Sequence, residues 1–370
     1  MGIEGLTPFL KKHVPEGVVE VEREQFFSRV IAIDISVFIY QFLFAVRQGG
    51  DVLRNKDGDV TSHIQGLLSR TIHLMEKGIK VVYVFDGKAP ELKRQELDKR
   101  RERRTEATEK AAEAREEGNV EEMEKQEKRT ASMKHNMADD CFKLLNLMGI
   151  PTIRSPSEAE AQCAELVKGG RVFAMASNDM DSLCYGIPTL LRNMGQKDSS
   201  KRKLLEYRMD VILSELELTP EQFVDMCIMF GCDYIPRIKG LGVETAYKLM
   251  KEHGSLEGVL QNLPERHRKN LPDFYPFEEA RRLFHDPDVI KCENIPKFSW
   301  KRPKEKGLLK FLVEENSFSE QRVLSAIERL KKTKKHKRQS RIDSFFKPVP
   351  RKDSKKRTSG ASGAKKQRTK

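Results

Sequence analysis

The sequence predicts an α/β protein with a mostly parallel central sheet flanked by helices. Two short apolar runs, at residues 30–33 and 81–85, lie on either side of a helical stretch from about residue 36 to 77. A third apolar run covers residues 172–176. Continuous β-branched runs separated by a helix are typical of parallel strands that are buried on both faces. We therefore expect a covered parallel sheet with right-handed crossovers.

Acidic residues follow each of the three predicted strands. Asp34 ends the first run, Asp86 ends the second, and Asp179 and Asp181 follow the third. Ligands of open α/β sheets bind at the carboxyl ends of the strands, so we expect these ends to face one crevice. Alternation along the chain turns Asp179 and Asp181 to the same side. A single Asp at a strand end can equally cap the next helix. The prediction therefore rests on the occurrence of acids at all three strand ends.

Three further acids, Glu158, Glu160 and Asp233, complete a set of seven candidates. So many carboxylates in one cleft repel one another unless cations neutralise them. Oxygen ligands without His or Cys favour Mg²⁺, with Mn²⁺ as a substitute. Two such ions can activate a water and stabilise the leaving oxygen in phosphodiester hydrolysis. Ser157 and Glu160 also match a helix capping box, which leaves a structural alternative for Glu160.

The segment from residue 91 to about 134 consists almost entirely of charged residues, Ala and Gln. It predicts two exposed helices with a break at Gly118 and little to bury. Lys93 and Arg100 fall on one face of the first helix. An ordinary solvated helix with intrahelical ion pairs also explains this composition. Because the segment directly follows Asp86, however, its cations would lie beside the acidic crevice and could hold a phosphate there.

Residues 217–262 predict further helices, interrupted by the sequence Ile-Lys-Gly-Leu-Gly at 238–242. This sequence has the form of a helix-hairpin-helix loop. Its glycines, Gly240 and Gly242, would let backbone N–H groups approach a DNA phosphate closely. A plain helix–helix turn also favours glycine, so both interpretations stay open.

Positive charge is concentrated at the C-terminus. The 370 residues carry a net charge of +13, but residues 331–370 hold 17 Lys and Arg against two Asp. Residues 1–330 therefore carry −2, and a polyanion must be held there by local patches. The tail composition predicts disorder, and its basic clusters suit nuclear import and DNA affinity. Three apolar residues without a core to join indicate a docking peptide at 339–346, which comprises Gln339, Ile342, Phe345 and Phe346.

The six cysteines show neither a Cys-x-x-Cys pair nor zinc-finger spacing, which favours a reducing compartment without structural zinc. The sequence contains no segment typical of a signal peptide or a membrane span, so we expect no membrane partner.

Taken together, several motifs resemble the eukaryotic flap endonucleases, within the family of structure-specific 5′ nucleases, over residues 1–346. The matching segments lie at residues 1–6, 40–43, 45–51, 83–88, 156–161, 179–181, 231–234 and 339–346. The resemblance implies a nuclease core at 1–330, with a helical arch at 91–135 through which a 5′ flap threads. It also implies that the basic tail at 331–370 carries a clamp-binding peptide.

The resemblance further implies roles for single residues. Two Mg²⁺ per subunit are expected, one held by Asp34, Asp86, Glu158 and Glu160, and the other by Asp179, Asp181 and Asp233. Lys93 and Arg100 are expected to contact the reacting phosphate, and with Asp181 they form the predicted catalytic group. The predicted DNA contacts are Gly2, Tyr40, Arg47, Arg70, Glu158, Gly231, Asp233, Gly240 and Gly242. The residues predicted to bind a PCNA-type sliding clamp trimer are Gln339, Ile342, Phe345 and Phe346.

Two departures from the family pattern affect the hairpin loop. Arg237 stands where the family often has a small hydroxyl residue, so a K⁺ ion there would depend on backbone carbonyls. Glu244 lies where the family often carries basic residues, so the phosphate contact would depend on Lys248 or Lys251.

We therefore expect a Mg²⁺-dependent 5′ flap endonuclease with 5′→3′ exonuclease activity. Such an enzyme leaves ligatable nicks in Okazaki-fragment maturation and long-patch base excision repair. The expected partners of its monomeric core are branched DNA, as 5′ flaps and nicked or gapped duplex, and the clamp. The expected location is the nucleus, including nucleolus and nucleoplasm, with a share in the mitochondrion. The alternatives are a processive 5′ exonuclease or junction resolvase of the same family, or a non-catalytic, clamp-tethered DNA-binding protein.

Overall fold

A computed structural model describes residues 2–45, 47–48, 51–56, 58–119, 121–123, 125–126, 135–196, 202–272 and 274–335. The chain divides into two units, Met1–Lys337 and Arg338–Lys370. The second unit lies outside the described residues, and with it the predicted clamp peptide at 339–346. The predicted end of the core at residue 330 falls inside a helix, Glu320–Lys335.

Within the described residues, seven strands form a central sheet and two short strands form a separate hairpin. In chain order the strands are β1 (Val18–Val21), β2 (Val30–Asp34), β3 (Arg47–Gln48), β4 (Asp51–Val52), β5 (Lys80–Phe85), β6 (Thr152–Arg154), β7 (Ala174–Ala176), β8 (Thr189–Arg192) and β9 (Leu204–Arg208). The sheet order is β1-β9-β8-β7-β2-β5-β6. The five strands from β8 to β6 are parallel neighbours, whereas β9 is antiparallel to β8 and β1. The predicted mostly parallel sheet is confirmed.

Helices flank this sheet. The α-helices in the described residues are α1 (Leu6–His13), α2 (Ile35–Ala45), α3 (Ser62–Glu76), α4 (Arg94–Glu116), α5 (His135–Met148), α6 (Ala159–Lys168), α7 (Met209–Leu216), α8 (Pro220–Phe230), α9 (Val243–His253), α10 (Leu256–Gln261), α11 (Glu265–Arg268), α12 (Phe277–His285), α13 (Glu305–Leu309) and α14 (Glu320–Lys335). A π-helix covers Lys310–Glu315, and 3-10 helices cover Pro15–Gly17, Arg23–Phe26, Glu91–Lys93, Met180–Tyr185 and Cys292–Asn294. None of the helices in this part of the chain is both long and apolar enough to cross a membrane.

Both faces of the sheet are buried, as the continuous apolar runs predict. Ala32, Val82 and Val84 belong to a hydrophobic core that also includes residues of α1, α6 and α8. Ile31 and Tyr83 point to a second core, which includes residues of α2, α3 and α5. The alternation along β2 and β5 follows the two-residue period of a strand. Burial on two faces therefore fixes the strands that carry Asp34 and precede Asp86.

The structure refines several predicted elements. The helical stretch predicted from residue 36 to 77 consists of α2 and α3, which are separated by the β3–β4 hairpin and a loop. The strand predicted at 172–176 is shorter, since β7 begins at Ala174. Of the predicted arch, α4 is exposed along most of its length and buries Ala107, Ala111 and Ala114. Beyond the turn at Gly118, whose φ is 70°, residues 121–123 and 125–126 are helical, and 127–134 lie outside the described residues.

Candidate active site

Six of the seven predicted acids line one open cleft of about 710 Å³. Asp34, Asp86 and Asp179 reach it from β2, β5 and β7, which are neighbouring parallel strands. Their carboxyl ends therefore lie at the same edge of the sheet. The start of α6 adds Glu158 and Glu160, and the loop after α8 adds Asp233. Their expected role as metal ligands stays a prediction.

Asp181 lies just behind the residues that line the cleft. Its backbone N–H donates to Asp179 Oδ1 at 3.2 Å, and its own Oδ2 accepts from the Asp233 N–H at 3.5 Å. Its other oxygen, Oδ1, is buried and has no hydrogen-bond partner among the described residues. A buried carboxylate oxygen without a donor is costly, and this oxygen is therefore suited to a cation.

The alternative roles of the acids can be judged from their backbone contacts. Asp34 does cap α2, because its Oδ1 accepts from the Ser36 N–H at 2.9 Å, and it lines the cleft as well. The capping box of Ser157 and Glu160 is not formed, since the N-cap of α6 is Glu158 and the helix has no side-chain cap. Asp86 instead accepts the first N–H of that helix, from Ala159, at 2.9 Å.

Burial and mutual repulsion disfavour the ionised form of several of these carboxyls. Burial, followed by the charge of Asp86, raises the pKa of Asp34 to about 8. Burial and neighbouring carboxylates also raise the pKa values of Glu160, Asp179 and Asp181. A cation that entered the cleft would favour the ionised forms and offset this repulsion.

Two cations of the predicted arch reach into the cleft. The Lys93 ammonium contacts Glu158 Oε1 and lies 3.1 Å from Asp233 Oδ2. The Arg100 guanidinium donates to Asp233 Oδ1 at 2.5 Å and to Glu96 at 3.1 Å. Burial lowers the pKa of Lys93, but the nearby carboxylates outweigh burial and raise it, so the side chain stays charged. The arch and the acids therefore form one site, as the sequence predicts.

The acids fit a divalent metal by their chemistry, although their arrangement is not closed around one. Within the described ranges, no three carboxylate, imidazole or thiol groups are arranged to hold a metal ion. Instead Lys93 and Arg100 contact Glu158 and Asp233. The donor set consists of hard oxygens, which are the ligands that divalent cations such as Mg²⁺ prefer. The unpartnered Asp181 Oδ1 is one more oxygen of this kind.

Two buried tyrosines at the site were not predicted from the sequence. Tyr185 donates its hydroxyl to Glu158 Oε2 at 2.7 Å, and the Tyr234 hydroxyl contacts the same oxygen. Burial raises the pKa of both phenols, so they remain protonated. Ser36 was also missed; its hydroxyl donates to Asp86 Oδ2. In the sequence, the position of Tyr234 directly after the predicted ligand Asp233 is the one feature that points to a role for it at this site.

Two of the glycines predicted to contact DNA lie close to the acids. A Cβ atom on Gly2, whose φ is 79°, would lie 2.0 Å from Asp179 Oδ1 and 2.5 Å from Asp181 Oδ1. Gly231 has a φ of 90°, and a Cβ there would lie 2.7 Å from the backbone nitrogen of Arg237. Both positions exclude a side chain for packing reasons. Their contacts with DNA stay a prediction.

The other predicted DNA contacts lie on three elements. Tyr40, on α2, lines the acidic cleft. Arg70, on α3, donates to the Gln196 carbonyl at 2.6 Å. Arg47 lies in β3. Tyr40 thus lies beside the acids, and none of the three roles is tested by the geometry alone.

The predicted hairpin loop at 238–242 lies between α8 and α9. Gly240 has a φ of 80°, and Gly242 is the N-cap of α9. A Cβ at Gly240 would lie 3.8 Å from His267 Nδ1, a buried atom without a hydrogen-bond partner among the described residues. His267 thus adds a polar group to this loop that the sequence did not reveal. The K⁺ ion expected here stays a prediction.

Charged neighbours of the loop are partly neutralised. Glu244 does not stand alone at the start of α9, because Lys12 and His13 bind it at 2.7 and 2.9 Å. Arg237 donates to Glu4 at 2.8 Å. Of the two lysines predicted to replace the missing basic residues, Lys251 pairs with Glu217 at 2.6 Å.

The sheet and cleft coincide with two conserved domain models. The XPG N-terminal domain matches residues 1–107, and the XPG I-region matches residues 149–233. The first segment carries Asp34, Asp86, Lys93 and Arg100, and the second carries the other five of the seven predicted acids. Fold and site thus define a protein of the XPG class.

Relatives narrow the class further. Flap endonuclease 1-A of Sorghum bicolor is 48% identical over 374 residues, covering 99% of this chain and 98% of the relative. Flap endonuclease 1 of Debaryomyces hansenii is 45% identical and covers 100% of this chain and 99% of the relative. The chain belongs to the flap endonuclease family.

Solved structures agree with this assignment. Flap endonuclease-1 from Methanococcus jannaschii is 33% identical with a TM-score of 0.68, covering 88% of this chain and 98% of that one. The catalytic core of Rad2 in complex with DNA substrate is 25% identical with a TM-score of 0.66, covering 86% of this chain and 98% of the other.

Proposed function

We propose that this protein is a structure-specific 5′ flap endonuclease with an associated 5′→3′ exonuclease activity. The observation that carries the proposal is the meeting of six carboxylates, with Asp181 just behind them, and two arch cations at one edge of the sheet. A binding module would gain stability by losing these mutually repelling carboxylates, whereas a hydrolase needs them to hold metal ions. Membership of the flap endonuclease family supports the same function.

Nucleases of this family depend on divalent metal ions, and we propose two Mg²⁺ per subunit, with Mn²⁺ as a substitute. Asp34, Asp86, Glu158 and Glu160 would hold one ion, and Asp179, Asp181 and Asp233 the other. Two such ions, when bound, supply an activated water and a stabilised leaving oxygen. The unpartnered Asp181 Oδ1 and the raised pKa of Asp34 support this assignment, because a cation relieves both.

Lys93 and Arg100 position the reacting phosphate. Without substrate they contact Glu158 and Asp233. When DNA enters, both side chains exchange a carboxylate for phosphate oxygens, and the planar guanidinium can bind two of these oxygens at once. Their positive charges then lie where negative charge develops during cleavage. The exchange also frees the carboxylates of Glu158 and Asp233 for other cations.

We propose branched DNA, as 5′ flaps and nicked or gapped duplex, as the substrate. The DNA-bound Rad2 core supports a DNA substrate for this fold. Because residues 1–330 carry a net charge of only −2, individual cations and backbone groups must hold the duplex. Tyr40 stacks on a base near the junction, and Gly240 and Gly242 approach a backbone phosphate, with a K⁺ ion at the same loop.

The functions of the tail belong to the same proposal. The peptide at 339–346 binds a PCNA-type sliding clamp. The basic clusters direct the protein to the nucleus, and a share of the protein is located in the mitochondrion. Okazaki-fragment maturation and long-patch base excision repair follow as the processes served. Replacement of Phe345 and Phe346 by Ala should abolish clamp binding in a pull-down and leave clamp-free incision unchanged. Clamp binding by this double variant would contradict the docking role.

Incision of a labelled double-flap substrate tests the catalytic proposal. Wild-type protein with Mg²⁺ should release the intact 5′ flap and leave a ligatable nick, and protein in EDTA should not. Asp181→Ala should lose incision, whereas Asp286→Ala, at an exposed acid outside the cleft, should retain it. Mononucleotide products alone would favour a processive exonuclease, and paired cuts in a four-way junction would favour a resolvase. Equal incision by wild type and Asp181→Ala would overturn the mechanism.

A further inference from the structure

The two carboxylate oxygens of Glu158 have different neighbours. Oε1 contacts the Lys93 ammonium, which points into the cleft. Oε2 faces the protein interior, where it accepts from Tyr185 at 2.7 Å and contacts Tyr234. The two phenol oxygens are 2.6 Å apart. The two phenol protons serve three contacts, so at least one of them is donated to Oε2 in any arrangement.

The phenols and the Glu158 side chain are buried together. Tyr185, Tyr234 and Glu158 are 3%, 7% and 7% exposed, respectively. Phe284 packs against both phenol rings, with centroid distances of 5.2 and 5.0 Å. A buried carboxylate is stable only when donors satisfy it. The phenols therefore hold Oε2 in place, and rotation of the Glu158 carboxylate would break their contacts.

The phenols also connect the two predicted groups of metal ligands. Tyr185 ends the 3-10 helix that contains Asp181, and Tyr234 directly follows Asp233. Both aspartates belong to the second predicted group, whereas Glu158 belongs to the first. Each phenol is thus fixed to one group by the chain and to the other by its hydroxyl. These hydrogen bonds therefore connect Glu158 to the chain segments that carry Asp181 and Asp233.

We infer that Tyr185 and Tyr234 are positioning residues that present Glu158 Oε1 alone to the cleft and fix the spacing of the two carboxylate groups. The inference rests on the proposed metal-dependent function and adds residues that act through Glu158. Partners of metal ligands commonly change metal affinity or activity about 10- to 100-fold when they are removed. The loss of both hydroxyls should therefore weaken metal binding without removing a ligand.

Phenylalanine substitutions test the inference because they keep the rings and delete only the hydroxyls. We would compare Tyr185→Phe, Tyr234→Phe and the double variant with Tyr83→Phe. Tyr83 is a matched control, since it is fully buried and its hydroxyl contacts Thr71 at 2.8 Å on the other core. Mn²⁺ binding to the DNA-free full chain would be measured by electron paramagnetic resonance. Incision rates would be measured across a Mg²⁺ titration.

The double variant should bind Mn²⁺ about 10- to 100-fold more weakly and need correspondingly more Mg²⁺ for incision. At saturating Mg²⁺ its rate should recover, and Tyr83→Phe should match wild type throughout. Wild-type Mn²⁺ affinity in a folded double variant would overturn the inference and leave the proposed function standing. Failure of wild-type protein to bind Mn²⁺ or to incise DNA would instead overturn the proposed function. If the double variant does not fold, the same two measurements on Tyr185→Phe test the inference.

Discussion

Replacement of Lys93 by Met should have opposite effects on metal binding and on incision. The Lys93 ammonium contacts Glu158 and lies 3.1 Å from Asp233, where it is only 17% exposed. At that distance and an effective dielectric of about 20, one such pair attracts by roughly 5 kcal/mol before desolvation is subtracted. Removing the ammonium frees two carboxylates for a divalent ion. Since about 1.4 kcal/mol is a factor of ten, recovery of a third of that attraction would tighten Mn²⁺ binding about tenfold.

Incision by the same variant should become slower. The loss of one donor that stabilises developing charge typically reduces kcat by about 10²- to 10³-fold. Mn²⁺ binding to DNA-free protein and single-turnover incision of a double flap at saturating Mg²⁺ measure the two effects separately. Lys99→Met is the matched control, because it removes the same charge from an exposed position on α4. Wild-type incision by Lys93→Met, or weaker rather than tighter Mn²⁺ binding, would refute the assigned role.

Three further outcomes follow from the geometry. Burial raises the folded pKa of Asp34 from 3.8 to about 8, so metal-free protein should lose stability as pH rises across that window. Tm values in EDTA at pH 6 and pH 8 should show this loss of stability. Addition of Mg²⁺ should make the loss smaller. Gly2→Ala should reduce incision and Mn²⁺ affinity, since its Cβ would lie 2.0 Å from Asp179 Oδ1. Arg281→Ala should destabilise the fold by about 3–5 kcal/mol in urea unfolding, because it leaves the buried Asp225 carboxylate without its bidentate partner.

Each of these outcomes has a control. A metal-free Tm that is equal or higher at pH 8 would contradict the raised pKa of Asp34. Gly170→Ala is a control for Gly2→Ala, because Gly170 also has a positive φ but open space around its Cβ. Equal incision by both glycine variants would show that the clash is relieved. Arg281→Ala should keep its activity per folded molecule, since Arg281 lies outside the cleft.

The strands that the sequence predicts are those whose stability is encoded locally. β2 and β5 are continuous apolar runs with both faces buried, so their composition alone identifies them. β1, β6, β8 and β9 were not predicted. β1 and β9 have mixed burial and depend on antiparallel pairing between residues about 185 positions apart in the chain, while β6 has only three residues. Such strands form because of their partners rather than their own residues.

The same distinction applies to the site. The acids were predictable because strand direction brings the ends of parallel strands to one edge. The phenol support of Glu158 was not, because Tyr185 and Tyr234 reach it from 27 and 76 residues away. Likewise, the sequence shows Glu244 where the family often carries basic residues, but it does not show its partners Lys12 and His13, which lie 232 and 231 residues away. Side-chain contacts over such separations depend on the folded chain and leave no periodic signal.

The sheet order has a consequence for the time at which the protein becomes able to cut DNA. β7 pairs directly with β2, so the sheet edge that carries Asp34 and Asp179 is complete only after residue 179 has been made. Asp34 and Asp86 emerge from the ribosome long before Asp179, and Asp233 emerges last. An unfinished chain therefore holds only part of the acidic set, and a truncated product that stops before residue 233 carries no complete one.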